Sequence, residues 1–122
     1  MKKMLITLIM ILTFTAIQAQ KISYIETTRS WHYIYDENGK KIHTISTSQG
    51  EVVAYSESFY IIKNGSWYYV CDPKGKKLHT SSVNTTGEVL SAAGDTFTSR
   101  KGSWIYTWNK NGKKLNTRTA KH

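Results

Sequence analysis

The sequence predicts an all-β fold: an antiparallel meander of three pseudo-repeats about 36 residues long. Three observations lead there. First, one sixteen-residue stretch is written three times, as "RSWHYIYDENGKKIHT" (Arg29–Thr44), "GSWYYVCDPKGKKLHT" (Gly65–Thr80) and "GSWIYTWNKNGKKLNT" (Gly102–Thr117). Its tryptophans, Trp31, Trp67 and Trp104, are 36 and 37 residues apart. Second, the apolar pattern alternates with period two, as in Trp31, Tyr33, Tyr35 against His32, Ile34, Asp36, which is the signature of a strand with two unlike faces. Third, Gly, Asn and Asp recur at fixed offsets between these runs, and no stretch after residue 19 shows a helical period.

The first nineteen residues are read separately. Lys2 and Lys3 form a positive start, and "LITLIMILTFTAI" (Leu5–Ile17) is an apolar run too short for an ordinary membrane span. Small and polar residues follow. This is the layout of a secretory signal peptide cleaved after Ala19. The mature chain then runs from Gln20 to His122 as a single all-β repeat domain of 103 residues. Cys71 is the only cysteine, so no intrachain disulfide staples it. The matching positions hold Tyr35 and Trp108, which marks Cys71 as a small packed hydrophobe.

The strands follow in order. Ser23–Thr28 is the first, and Tyr24 aligns with Tyr60 and Phe97. The Trp31 strand comes next, then a turn, "DENGKK", then Lys41–Ser46. In this turn the Asp or Asn bonds its own backbone and the Gly takes a left-handed conformation. The second unit adds a linking strand, Glu51–Tyr55, before Ser58–Lys63, the Trp67 strand and Lys77–Ser82. Asn64-Gly65 predicts a type I′ hairpin turn. The third unit repeats this as Glu88–Ala92, Asp95–Arg100, the Trp104 strand and Lys114–Arg118, with Lys101-Gly102 at the hairpin. That makes eleven short strands. The unit pattern starts and stops mid-repeat. Closure has three alternatives: a compact barrel or propeller-like body, an open twisted sheet, or a homodimer forming a six-bladed ring. Three units alone are fewer than the roughly four to eight blades of a propeller.

The stretch "YIYDENGKKI" resembles the Tyr-x-Tyr-Asp-x-x-Gly-Arg core of YD (Rhs-type) repeats, and also the outer hairpin of a β-propeller blade. The export segment resembles those of Bacteroidetes-type proteins. Lys stands here for the usual Arg, the third copy has Trp108-Asn109 for Tyr-Asp, and the period is longer. Both families are mainly scaffolds, so the resemblance implies no catalytic residue.

Charge narrows the partners. Without Lys2 and Lys3, 15 basic residues face 8 acidic ones. This favours an acidic protein, an anionic envelope glycan or a lipid head group. An exported protein is not expected to meet nucleic acid, so localisation in the periplasm or outside the cell points away from it.

No motif for catalysis or a cofactor is present. There is no Gly-x-Ser-x-Gly elbow, phosphate loop or persuasive Cys–His pair. His43 and His79 occupy equivalent places, with Asn116 third. Repetition explains them without a metal, for which no Cys or carboxylate stands at ligand spacing. His32 reads as a surface or half-buried strand residue. Glu51 and Glu88 are equivalent strand starts rather than a hydrolytic pair.

The contact candidates are therefore aromatic and basic: Trp31, Trp67, Trp104 and Trp108, with Lys40, Lys76, Lys113, His43 and His79. Aromatics alternating in a hairpin ordinarily build core. Trp108 breaks the repeat and reads as the most exposed. The expected function is a small, exported, non-catalytic binding protein of the bacterial cell envelope. Two variants stand beside it: a repeat lectin using the equivalent tryptophans, and a periplasmic immunity or inhibitor protein acting by occlusion.

Overall fold

A computed structural model describes residues 20–120. The signal-type segment, its cleavage site and His122 lie outside the described residues. Eleven strands form: β1 (Ile22–Thr27), β2 (Trp31–Asp36), β3 (Lys41–Ser46), β4 (Glu51–Tyr55), β5 (Tyr60–Asn64), β6 (Trp67–Cys71), β7 (Lys77–Ser82), β8 (Glu88–Ala93), β9 (Thr96–Lys101), β10 (Trp104–Asn109) and β11 (Lys114–Thr119). They make three antiparallel sheets, ordered β1-β2-β3, β4-β5-β6-β7 and β8-β9-β10-β11. The strands do not close into a barrel.

The turns account for the strand ends. Asp36 Oδ1 accepts from the backbone N–H groups of Asn38 and Lys40, both at 2.9 Å. Asp72 and Asn109 repeat this with Lys74, Lys76, Asn111 and Lys113. Gly39, Gly75 and Gly112 take positive φ, as expected. The hairpins differ from expectation by one residue. Asn64 stays in β5 opposite Trp67, and the two-residue turn is Gly65-Ser66 with only Gly65 at positive φ. That is type II′, which needs one left-handed residue instead of two.

The sheets separate at the links. After β3 the chain makes a single 3₁₀ turn, Thr47–Gln49, capped by Ser46. After β7 it makes one helical turn, Val83–Thr86, capped by Ser82. Thr47 N–H then bonds Ser30 O, Val83 N–H bonds Ser66 O, and Ala120 N–H bonds Ser103 O. These links carry the chain out of the sheet plane, so β4 and β8 start new sheets instead of extending old ones. A barrel is lost for that reason.

Each sheet has two faces. We call the face bearing the tryptophans the front and the other the back. The back of the first sheet (Ile22, Ile34, Ile45) packs on the front of the second (Tyr60, Ile62, Cys71). The back of the second (Ile61, Tyr68, Val70) packs, with Phe59, on the front of the third (Phe97, Trp108). The core is therefore two layers of side chains between three sheets. Burial of this apolar surface is the main stabilising term.

Polar links set the spacing between sheets. His32, expected at the surface or half-buried, is buried at 3% exposure. Its Nε2 donates to Gly50 O at 2.8 Å, and Thr27 Oγ1 donates to its Nδ1 at 2.8 Å. The carbonyl can only accept, and this settles the tautomer. Tyr68, its equivalent, donates to Gly87 O at 2.9 Å. Farther out, Ser58 Oγ donates to Asp95 Oδ1 at 2.7 Å, and Lys110 pairs with the same oxygen at 3.2 Å. The Ser58 bond, with Lys110 beside it, holds the Asp95 carboxyl below its ordinary pKa.

Candidate binding face

The three repeat tryptophans are not core. Trp31, Trp67 and Trp104 are 44%, 49% and 49% exposed. Each begins its strand, directly after the hairpin turn, at the end of the sheet the core does not reach. Trp67 and Trp104 stay exposed although Cys71 and Trp108, farther along the same strand faces, are buried against the preceding sheet. Their cross-strand partners are polar: Asn64 and Ser82 flank Trp67, Lys101 and Thr119 flank Trp104, and Ser46 lies opposite Trp31. Each sheet thus presents one half-open indole ring beside hydroxyl, amide or amino groups.

Trp108, expected to be the most exposed, is the reverse. It is 9% exposed and stacks on Phe97 at 6.3 Å between centroids. Its Nε1 donates to Ser99 Oγ at 2.9 Å, and Ser99 Oγ donates to Thr86 O at 2.6 Å. This buried chain satisfies the indole N–H that deep burial would otherwise strand. Trp108 therefore leaves the set of contact residues.

The lysines and histidines lie elsewhere. Lys40, Lys76 and Lys113 are exposed and belong to the turns at the far end of the tryptophan strands. At about 3.3 Å per residue, a strand of this length separates the two ends by roughly 15 Å. These three lysines and the tryptophans therefore lie at opposite ends of the same strands. One rim is aromatic and the opposite rim is basic. The second lysine of each pair serves packing: Lys41, Lys77 and Lys114 lie over Tyr33, Tyr69 and Tyr106 at 4.5, 4.4 and 4.1 Å from the ring centroids. That contact covers aromatic surface.

His43 and His79 act as plugs. Each comes from the back of one sheet and rests on the turn glycine of the next, His43 on Gly75 and His79 on Gly112. A β-carbon on either glycine would strike the imidazole. Among the described residues no group of three or more His, Cys, Asp or Glu is arranged to hold a metal ion.

A cleft of about 430 Å³ opens between the first two sheets, lined by His43 and Ile45 on one side and Tyr60, Tyr69, Cys71 and Lys77 on the other. Burial raises the Cys71 thiol above its ordinary pKa, against the pull of Tyr60 and Lys77. Burial also pushes the Tyr60 hydroxyl far upward. A protonated, buried thiol is a weak nucleophile. Native Cys71 is therefore expected to ignore a thiol reagent such as Ellman's and to react fully once urea unfolds the chain. Fast labelling of the native protein would show that the cleft opens.

Among the described residues no helix is long and apolar enough to cross a membrane. No protein-family model matches the chain, and no curated protein sequence does either.

Proposed function

We propose that this chain is an exported, non-catalytic binding module of the bacterial cell envelope, and that it holds a saccharide chain along its tryptophan rim. One observation carries the reading. Three equivalent tryptophans stay about half exposed in all three sheets, although burying them is what a small domain gains most from. Large, stiff aromatic rings with polar neighbours suit the flat apolar faces of sugars, whose hydroxyls take the flanking hydrogen bonds. The excess of basic residues favours an anionic envelope polymer over a neutral one.

A second reading rests on the opposite rim. Lys40, Lys76 and Lys113 are likewise equivalent and exposed. They suit an acidic protein or lipid head group, held in a salt-sensitive way.

Fluorescence titration of the mature chain with envelope polysaccharides tests both. The rim tryptophans should quench on binding. Changing Trp31, Trp67 and Trp104 together to alanine should weaken binding at least about tenfold, the equivalent of about 1.4 kcal/mol, and leave the fold intact. Binding that survives this variant, but fails with added salt and when Lys40, Lys76 and Lys113 become glutamine, would move the site to the basic rim.

A further inference from the structure

The stack of sheets follows one rule: front residues of the second and third sheets pack on the back of the sheet before. Two faces are left over by that rule. They are the front of the first sheet and the back of the third. We propose that a second copy of this chain supplies both missing partners, so that two chains close head-to-tail into a ring of six sheets.

Three observations carry this. The first is the equivalent cross-strand pair on each front. Tyr60 with Cys71, and Phe97 with Trp108, are covered and between 2% and 9% exposed. Tyr24 and Tyr35 are the same pair in the first sheet, stacked at 4.7 Å, yet Tyr24 is 46% exposed. Among the described residues nothing packs on this contact face of the first sheet.

The second is the plug and socket. His43 fills the space over Gly75 and His79 the space over Gly112. Gly39 is the third socket, and among the described residues nothing lies within 4 Å of a β-carbon built there. Asn116 is the third plug: it pairs with Thr107 as His79 pairs with Val70. One plug and one socket remain, at opposite ends of the stack.

The third is charge. Ladder register makes Ile45, Ser81 and Arg118 equivalent on the backs, opposite His32, Tyr68 and Ile105. It makes Glu26, Ile62 and Ser99 equivalent on the fronts, opposite Tyr33, Tyr69 and Tyr106. Inside the stack these positions meet. Ile45 and Ile62 share one core cluster. Ser81 and Ser99 are bridged by Thr86, whose hydroxyl donates to Ser81 Oγ and whose carbonyl accepts from Ser99 Oγ. The same register sets Arg118 of one copy against Glu26 of the other. Both are exposed in the single chain. An apolar pair, a hydroxyl pair and an ion pair thus occupy one site in three successive interfaces.

Closure, rather than an endless filament, follows from the inner strands. β4 and β8 lie side by side. With β1 they border one cleft of about 320 Å³, lined by Ile25, Val53, Tyr55 and Leu90 among others. The sheets therefore fan from a common line. Six of them fall within the range of about four to eight sheets that close around an axis. A head-to-tail contact either closes in this way or runs on as a fibre.

The test is the solution mass of the chain from Gln20 to His122 by light scattering, over a wide range of concentration, with and without reductant. Two chains per particle, unaffected by reductant, is the expected result. Glu26→Arg and Arg118→Glu should each halve the mass, with circular dichroism showing an intact fold. Mixing the two variants should restore the dimer, because the mixed pair has one native and one charge-reversed interface. A wild-type monomer overturns the proposal. So does a dimer that survives both single reversals, a mixture that stays monomeric, or a mass that grows without limit.

Discussion

Replacing Phe59 by alanine is expected to cost about 3–5 kcal/mol of unfolding free energy, the usual loss for a buried phenylalanine cut to a methyl group. Phe59 has no exposed surface and packs among Ile61, Val70 and Phe97, with the Phe97 ring centroid 6.1 Å away. It sits at the corner where β4 turns into β5, and its backbone carbonyl accepts from Ser56 N–H at 2.9 Å. That bond is independent of the side chain, so the corner holds its shape and the cavity cannot easily collapse. Single domains commonly have only about 5–15 kcal/mol to lose. With no disulfide, this chain has no covalent reserve. Urea unfolding of the variant should show a much lower midpoint with an unchanged slope. A loss below about 1 kcal/mol would mean that the second and third sheets do not share the core described above.

The Gly50→Ala substitution should be nearly as severe, for another reason. Gly50 opens β4 at φ 134°, which side-chain-bearing residues rarely adopt. A β-carbon there would also strike the Lys63 carbonyl and the Ile62 side chain of β5. Backbone strain of this kind costs about 1–3 kcal/mol. Displacing the β5 carbonyl adds to it, and so does disturbing the Gly50 carbonyl that holds His32. Gly39→Ala is the control. Gly39 also has positive φ, but its β-carbon would meet no described residue, so only the conformational term applies. In a domain of this size each kcal/mol moves the melting temperature by roughly 4–8 °C. Thermal melts should therefore place Gly50→Ala well below Gly39→Ala. Equal melts would show that β4 does not approach β5 as described.

Much of the fold was legible in the sequence. Period-two alternation marked the strands within a residue or two, because alternation follows from the pleat itself. The Asp-x-x-Gly turns were legible because their chemistry is local: one carboxylate, two backbone N–H groups and one left-handed residue. The hairpins were placed one residue early, since Asn64-Gly65 and Gly65-Ser66 both offer a plausible pair and only sheet register decides between them. His32 and Phe59 were harder. The equivalents of His32 are Tyr68 and Ile105, and those of Phe59 are Ser23 and Thr96, so comparing copies dilutes what is particular to each.

The tryptophans mark the boundary between the two kinds of knowledge. The sequence by itself determined that Trp104 and Trp108 share a face, because four residues along a strand is an even step. It could not say which end of that face a neighbouring sheet would cover. Only the tertiary structure decided it: the links at Thr47–Gln49 and Val83–Thr86 turn each sheet onto the next, and the overlap buries Trp108 while leaving Trp67 and Trp104 at the rim. Local pattern is set by the pleat and the turn, which act over a few residues. Burial along a strand is set by where a whole second sheet comes to rest, and that depends on contacts between residues far apart in the chain.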